Sequence, residues 1–440
     1  MENVSMIGQE KHITAEEEYR QAKQKGIRHF VLGIFLLIAT ECAVAMGFMY
    51  IIDQNNFDNR VAREFEMKNR GEIKLSTGKY SGETDFGYFF GTGKFLFDSG
   101  AIYNGTWDNN SPSGRGELSI PAEGTYVGEF SNSKKSGTGT FTWEDGSTYT
   151  GTWKEDRMTG QGEYHGFDGV VYTGTFDNNS FSSGKCCFEN ETGEYEISYK
   201  DGVIDDAVIT FTDGSSYTGK CSENALDGLG ELVFSNQDVY NGNFRNGKRY
   251  GSGVYQWISG DSYDGDWVDD KMSGTGKYNF SNGSTLQGSF SGNTFTDGSY
   301  HVANDFGDYT FTIAKGKPIS VNMVLVNGTE YSGEMDENGL NGQAQIQYSN
   351  GDKYDGKVSN GEKSGQGVYT WVSGAMYDGE WEDDKMSGNG SYTYPNSEDG
   401  YKLTGNFKNG LPDGECTYYT SASKQYKTTW KDGKCIKVVE

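Results

Sequence analysis

With 440 residues and a formal charge of -25, the chain carries 64 Gly, 30 Tyr, 25 Phe and 8 Trp against only 5 Pro and 4 His. Aromatics with glycine and few aliphatics exclude a Leu-rich helical bundle and point to many short strands joined by tight turns. So acidic a chain repels nucleic acid and anionic lipid headgroups, which leaves a basic or neutral partner as the easier one.

Residues 1–29 read as a polar tail, with Glu2, Glu10, Glu16, Glu17 and Glu18 balanced by Lys11, Arg20, Lys23, Lys25 and Arg28. Residues 30–52, FVLGIFLLIATECAVAMGFMYII, hold one charge, Glu41, and are long enough to span a bilayer as a helix. The Ala43-Val-Ala45 step resembles a signal-peptide cleavage site. The long tail before it, and the apolar run continuing after it, favour an uncleaved anchor. Four bases closely precede the span and two, Arg60 and Arg63, follow it. The positive-inside tendency therefore puts the N-terminus in the cytoplasm and the rest of the chain outside, as a single-pass membrane protein.

Glu41 sits near mid-span, where an ionisable group is either paired with another helix or tolerated neutral. Ala39, Ala43 and Gly47 form a small-xxx-small ladder of the kind that pairs two such helices into a homodimer. Glu41 points away from that ladder. Residues 53–79 read as a stalk whose last stretch, IKLSTGK, leads into the array at 80–440.

That array is a repeat. Units open at Tyr80, Tyr103, Tyr126, Tyr149, Tyr172, Tyr195, Tyr217, Tyr240, Tyr263, Leu286, Tyr309, Tyr331, Tyr354, Tyr377, Leu403 and Tyr426. The step is 23 residues, shortened to 22 after Tyr195 and Tyr309 and lengthened to 26 between Tyr377 and Leu403, near Pro395. Tyr103, Gly105 and Trp107 alternate, so they share one face of a strand. A polar turn, DNNSPS, should follow, and then a return strand in which Gly114, Gly116 and Leu118 share a face opposite Arg115 and Glu117. Each unit is thus expected to be a β-hairpin with one aromatic and one charged face. The same positions recur as Tyr149, Gly151, Trp153, Gly160, Gly162; as Tyr263, Gly265, Trp267, Gly274, Gly276; and as Tyr377, Gly379, Trp381, Gly388, Gly390. Glycine weakens a strand, so the glycine pairs are expected to leave slots for aromatic rings.

YNGTWDNNSPSGRGEL, YTGTWKEDRMTGQGEY and YDGEWEDDKMSGNGSY resemble MORN (membrane occupation and recognition nexus) repeats, over about residues 80–435. The resemblance implies an all-β fold: an elongated single-layer antiparallel meander of about 16 hairpins, here preceded by one transmembrane α-helix. It implies scaffolding, protein association and sometimes membrane association, and no enzymatic activity. Units 195, 309 and 426 lose the glycines, which divides the array into blocks at 103–216, 217–330 and 331–440 after one leading unit. A bend or change of twist is expected near 195–215 and 309–330, and an edge-capping role at 426–440.

Each Gly-x-Gly is a strand feature without a following helix, and the four histidines share no repeat position, so neither a phosphate loop nor a catalytic triad is indicated. Cofactors and metals are not expected. Cys42, Cys186, Cys187, Cys221, Cys416 and Cys435 do not follow the repeat and indicate no disulfide framework; Cys416 and Cys435, in adjacent units, could pair, but unpaired buried thiols are the favoured reading. The remaining candidates are acids: Asp264, Asp266, Asp269 and Asp270 on one hairpin, and Asp378, Glu380, Glu382, Asp383 and Asp384 on another. They read either as a site for Ca²⁺ or a basic ligand or as a solvated face that keeps a long sheet soluble. Three functions compete: a membrane-anchored scaffold presenting a β surface to protein partners outside the cell, a cytoplasm-facing scaffold of reversed topology, and a surface protein stacking exposed aromatics on glycans.

Overall fold

A computed structural model describes residues 72–85, 87–222, 225–395, 401–421 and 424–439. The polar tail, the apolar span at 30–52 with Glu41, and most of the stalk lie outside them. Among the described residues all 33 regular elements are strands, and no helix is long and apolar enough to cross a membrane.

The alternation of Tyr, Gly and Trp with polar residues folds as expected, into a strand such as Ile102–Asp108 that returns as Ser111–Ile120. The chain divides into two compact units between Lys248 and Arg249. In the first, each strand from Ile73–Leu75 to Val239–Arg245 pairs antiparallel with the next. The second is a meander of the same kind ending at Lys434–Val439. Ile73–Leu75 pairs with Gly78–Asp85, so the end of the stretch read as stalk already belongs to the sheet.

The hairpin turn is shorter than the sequence suggests. Asn109 and Asn110 alone make it, at φ 46° and 67°, and Ser111 and Pro112 already belong to the return strand. Two consecutive left-handed residues define the turn whose twist matches that of antiparallel strands, and after Gly it is Asn and Asp that tolerate that region best. Pairs such as Glu155-Asp156, Asp269-Asp270 and Asp383-Asp384 do the same in other units. The return strand also carries two extra residues: Gly105 faces Gly116, but Trp107 faces Pro112, so Ser113, Gly114 and Arg115 lie opposite Thr106 alone.

The core lies on the aromatic face. Tyr80, Tyr103, Tyr126, Tyr149, Tyr217, Tyr240, Tyr263 and Tyr377 are fully buried. Each meets at least one ring edge-on, as Tyr263 does Trp267 at 5.2 Å and Phe290 of the next hairpin at 5.0 Å; Tyr80 in addition stacks on Phe89. The edge-on contact is a favoured approach of two aromatic quadrupoles.

Candidate functional site

The hairpin opening at Tyr263 shows how much of the repeat is consumed by packing. The Tyr263 hydroxyl donates to the Asp266 carbonyl at 3.1 Å, and the Trp267 indole N–H donates to the Gly253 carbonyl of the preceding hairpin at 3.0 Å. The same indole contact recurs at Trp107, Trp153 and Trp381. A Cβ on Gly276 would stand 2.4–2.6 Å from the Tyr263 ring, so the second glycine of each pair is indeed a ring slot. The first is not. Gly274 has φ +71° and is the middle of the three return-strand residues, Ser273 to Thr275, that bulge opposite Asp266, where a left-handed conformation is required. Gly114, Gly160 and Gly388 match it, at +72°, +64° and +56°. Degenerate units lack this apparatus: Tyr195 instead stacks on Phe188 at 4.6 Å and meets the Thr192 hydroxyl.

A feature the sequence reading missed occurs three times. Nine residues after the unit start the side chain is usually apolar, as in Phe89, Pro112, Met158, Leu226 and Met272, but it is Lys135, Arg249 and Lys363 at 114-residue spacing. Lys135 is buried, its Nζ 4.6 Å from the centre of the Trp153 ring and 4.8 Å from that of Phe141. Arg249 lies 4.4 Å above Trp267, and Lys363 is 5.4–5.9 Å from four rings. Burial lowers the Lys135 ammonium to about 8. The 114-residue period itself was the available signal.

These cations explain part of the acidic cluster. Asp270 accepts the Arg249 backbone N–H at 2.8 Å and lies 3.4 Å from its guanidinium Nε. Asp384 accepts both the backbone N–H of Lys363 at 2.9 Å and its ammonium at 2.8 Å. The backbone clasp does not need a charge: Asn110, Asn179 and Asn293 make it to Phe89, Met158 and Met272. Asp266 receives the Thr275 N–H and hydroxyl at 2.9 and 3.0 Å across the bulge, and Glu380 the Asn389 N–H at 3.1 Å. Asp269 and Asp383 are exposed first residues of their turns. Asp264 and Asp378 are exposed on the polar face, Asp264 opposite Lys277 and Asp378 opposite Ser391. The structure thus ties half of the cluster into the scaffold and leaves Asp264 and Asp378 facing solvent.

On the same polar face of the second unit a groove of about 650 Å³ runs across strands between 307 and 370. Its acids are Asp308, Glu330 and Asp355, with Lys353 beside them. Asp355 accepts the Gln345 amide at 2.9 Å, and His301 lies 3.0 Å from Asp308. Among the described residues no group of three metal-ligating side chains converges. Cys416 and Cys435 are both free thiols, one buried and one exposed.

The MORN repeat family model matches residues 103–122, 126–148, 149–171, 240–262, 263–285, 354–376, 377–398 and 404–421. The chain carries MORN repeats. All but one of the eight matches open on the buried Tyr, and none covers the degenerate units at 195, 309 and 426. No curated protein matches the sequence. Among solved structures, the TCP10 domain of zebrafish (Danio rerio) CPAP in complex with a STIL peptide is 14% identical, with 53% of this chain and 94% of that one covered at a TM-score of 0.27. The Drosophila melanogaster SAS-4 TCP domain, in complex with a proline-rich motif of Ana2, is 11% identical, with 46% and 90% covered at 0.18. A catalytically inactive virginiamycin B lyase from Staphylococcus aureus is 8% identical, with 66% and 94% covered at 0.12. Similarities this low carry no argument about function.

Proposed function

We propose that the chain is a non-enzymatic MORN-repeat scaffold, held to a membrane through residues 30–52, with the N-terminus cytoplasmic and the repeats outside. Its polar sheet face engages protein partners. The observation that carries the reading is the division of labour between the two faces. Tyrosine, tryptophan and glycine are consumed by packing, while Asp264, Asp378 and the groove acids face solvent. Because the repeat tyrosines are buried, they offer no ring face to a sugar, which counts against the glycan reading.

The test is cross-linking capture with the full chain and with an Asp264→Lys/Asp378→Lys variant. Since neither acid holds the fold, the melting temperature should stay within the small range of surface substitutions. The captured set should lose a member. Identical capture by both chains would sink the polar-face reading. Protease added to intact cells should cleave the repeats, and complete protection would reverse the orientation.

A further inference from the structure

The last hairpin differs from the rest of the array in its charge, at its edge and on its aromatic face. Lys424–Lys431 and Lys434–Val439 contain Lys424, Lys427, Lys431, Lys434 and Lys437, with Asp432 the one acid between them, in a chain of net charge -25. The register puts Lys427, Lys431, Lys434 and Lys437 on one face, with Glu415 of the preceding strand across from Thr429 on that same face.

The second difference is at the edge. Among the described residues Lys434–Val439 is paired on one side only, and all six of its residues are exposed. Ile436 is 62% and Val438 60% accessible.

The third is on the aromatic face. There a cavity of about 410 Å³ is lined by Tyr394, Tyr418, Tyr426, Trp430, Cys435 and Val438. In regular units the opening tyrosine receives a ring from the next hairpin, as Tyr377 receives Phe407 at 5.0 Å; Tyr195 of a degenerate unit instead meets Phe188 and Phe211.

We infer that the strand Lys434–Val439 takes up an extended acidic peptide from a partner protein as one further strand. The peptide would carry Asp or Glu at alternate positions and an aromatic or aliphatic side chain between them. Its backbone pairs with the side of Lys434–Val439 that has no partner among the described residues, its acids lie beside Lys434 and Lys437 with Lys427 and Lys431 one strand further in, and its apolar side chain enters the cavity. Addition at an edge takes affinity from main-chain hydrogen bonds and specificity from alternate side chains. Two considerations select this occupant over a second copy of the same strand. Lysines on an edge oppose pairing with their own kind, and only an acidic strand turns them into complementary contacts. The inference rests on the scaffold reading and names a partner for the edge rather than the polar face.

The test uses the full chain in detergent micelles and two labelled peptides, one alternating aspartate with tyrosine and tryptophan, the other with lysine in place of aspartate. The aspartate peptide should bind and the lysine peptide should not. Lys434→Glu/Lys437→Glu should weaken binding by about tenfold or more. Because Cys435 lines the cavity, its alkylation by N-ethylmaleimide should slow when the aspartate peptide is bound, while Cys187 and Cys221 react as before. That readout needs no substitution, so it stands if the variant misfolds. Absence of binding, equal binding of both peptides, or binding that leaves Cys435 unprotected would overturn the inference. So would self-association of the chain that the double substitution abolishes, which would give the edge to a second copy. None of these results bears on the polar-face capture experiment, so the two readings fail separately.

Discussion

At Gly276 and Gly274, two positions with the same residue, glycine is needed for different reasons. An added Cβ at Gly276 meets the Tyr263 ring, whose hydroxyl is fixed by the Asp266 carbonyl, whereas one at Gly274 meets the movable end of the Asp266 carboxylate at 2.6 Å. Gly276→Ala should therefore cost about 2–3 kcal/mol through overpacking. Gly274→Asn, which accepts a left-handed φ, should cost about 1 kcal/mol. Chemical denaturation of the two variants checks the order, and equal losses would contradict the assignment. The sequence showed the glycine pair but not its two roles, because alternation does not reveal a bulge. Lys135 is a second residue-scale case. Its folded value of about 8 lies below the ordinary 10.5, so the unfolded chain binds the extra proton between those values and stability rises with pH there. The rise is on the order of 3 kcal/mol. Lys135→Met, which places the side chain of Met158 and Met272 at this position, should remove the rise and leave the protein as stable or more stable at pH 7. A denaturation series from pH 7 to about 10.5 tests both.

At the scale of the hairpin, the tips are stitched to one another. The second turn residue of one hairpin holds the backbone of the hairpin before it, as Asp270 holds Arg249 and Asp384 holds Lys363. Asp270→Ala removes the carboxylate beside a buried guanidinium and should cost about 2–4 kcal/mol. Asp264→Ala should change stability by about 0.5 kcal/mol or less. Thermal unfolding of the pair separates them, and comparable losses would show that the polar face is also structural. Hairpin number, spacing and facing were legible in the sequence, since strand alternation and a 23-residue period are local signals. The sequence suggests longer turns because Pro112 reads as a turn residue, yet it sits buried opposite Trp107. The acids looked like a cluster because adjacency in sequence hides that Asp266, Asp269 and Asp270 belong to a bulge and a turn with different tasks.

Across the whole molecule, the stacked tyrosines should govern the response to alkali. Burial holds the Tyr80 and Tyr149 phenols up to about 12, against an ordinary value near 10. Their contribution is fully present below about pH 10 and is lost as pH rises through about 12. Phenolate absorbance and loss of the β circular dichroism signal should therefore rise together. Ionisation of most tyrosines with the β signal intact would show that the rings are not locked in the core. The acidic character is a whole-chain property too, but its consequence for partners depends on where it breaks, at the lysine-bearing last hairpin.

The buried cations have one more consequence. An array of near-identical hairpins risks misalignment during folding, because a slip of one unit still sets tyrosine beside tryptophan and glycine beside ring. Lys135, Arg249 and Lys363 occur at only one of every five junctions. A slip would strand an ammonium or guanidinium where Met158 or Met272 packs, away from Asp156, Asp270 or Asp384. A single polar group at a fixed point in an apolar seam sets alignment in the same way in other repetitive assemblies. A one-unit slip therefore costs most at these three junctions, and the cations would mark the phase of a periodic chain.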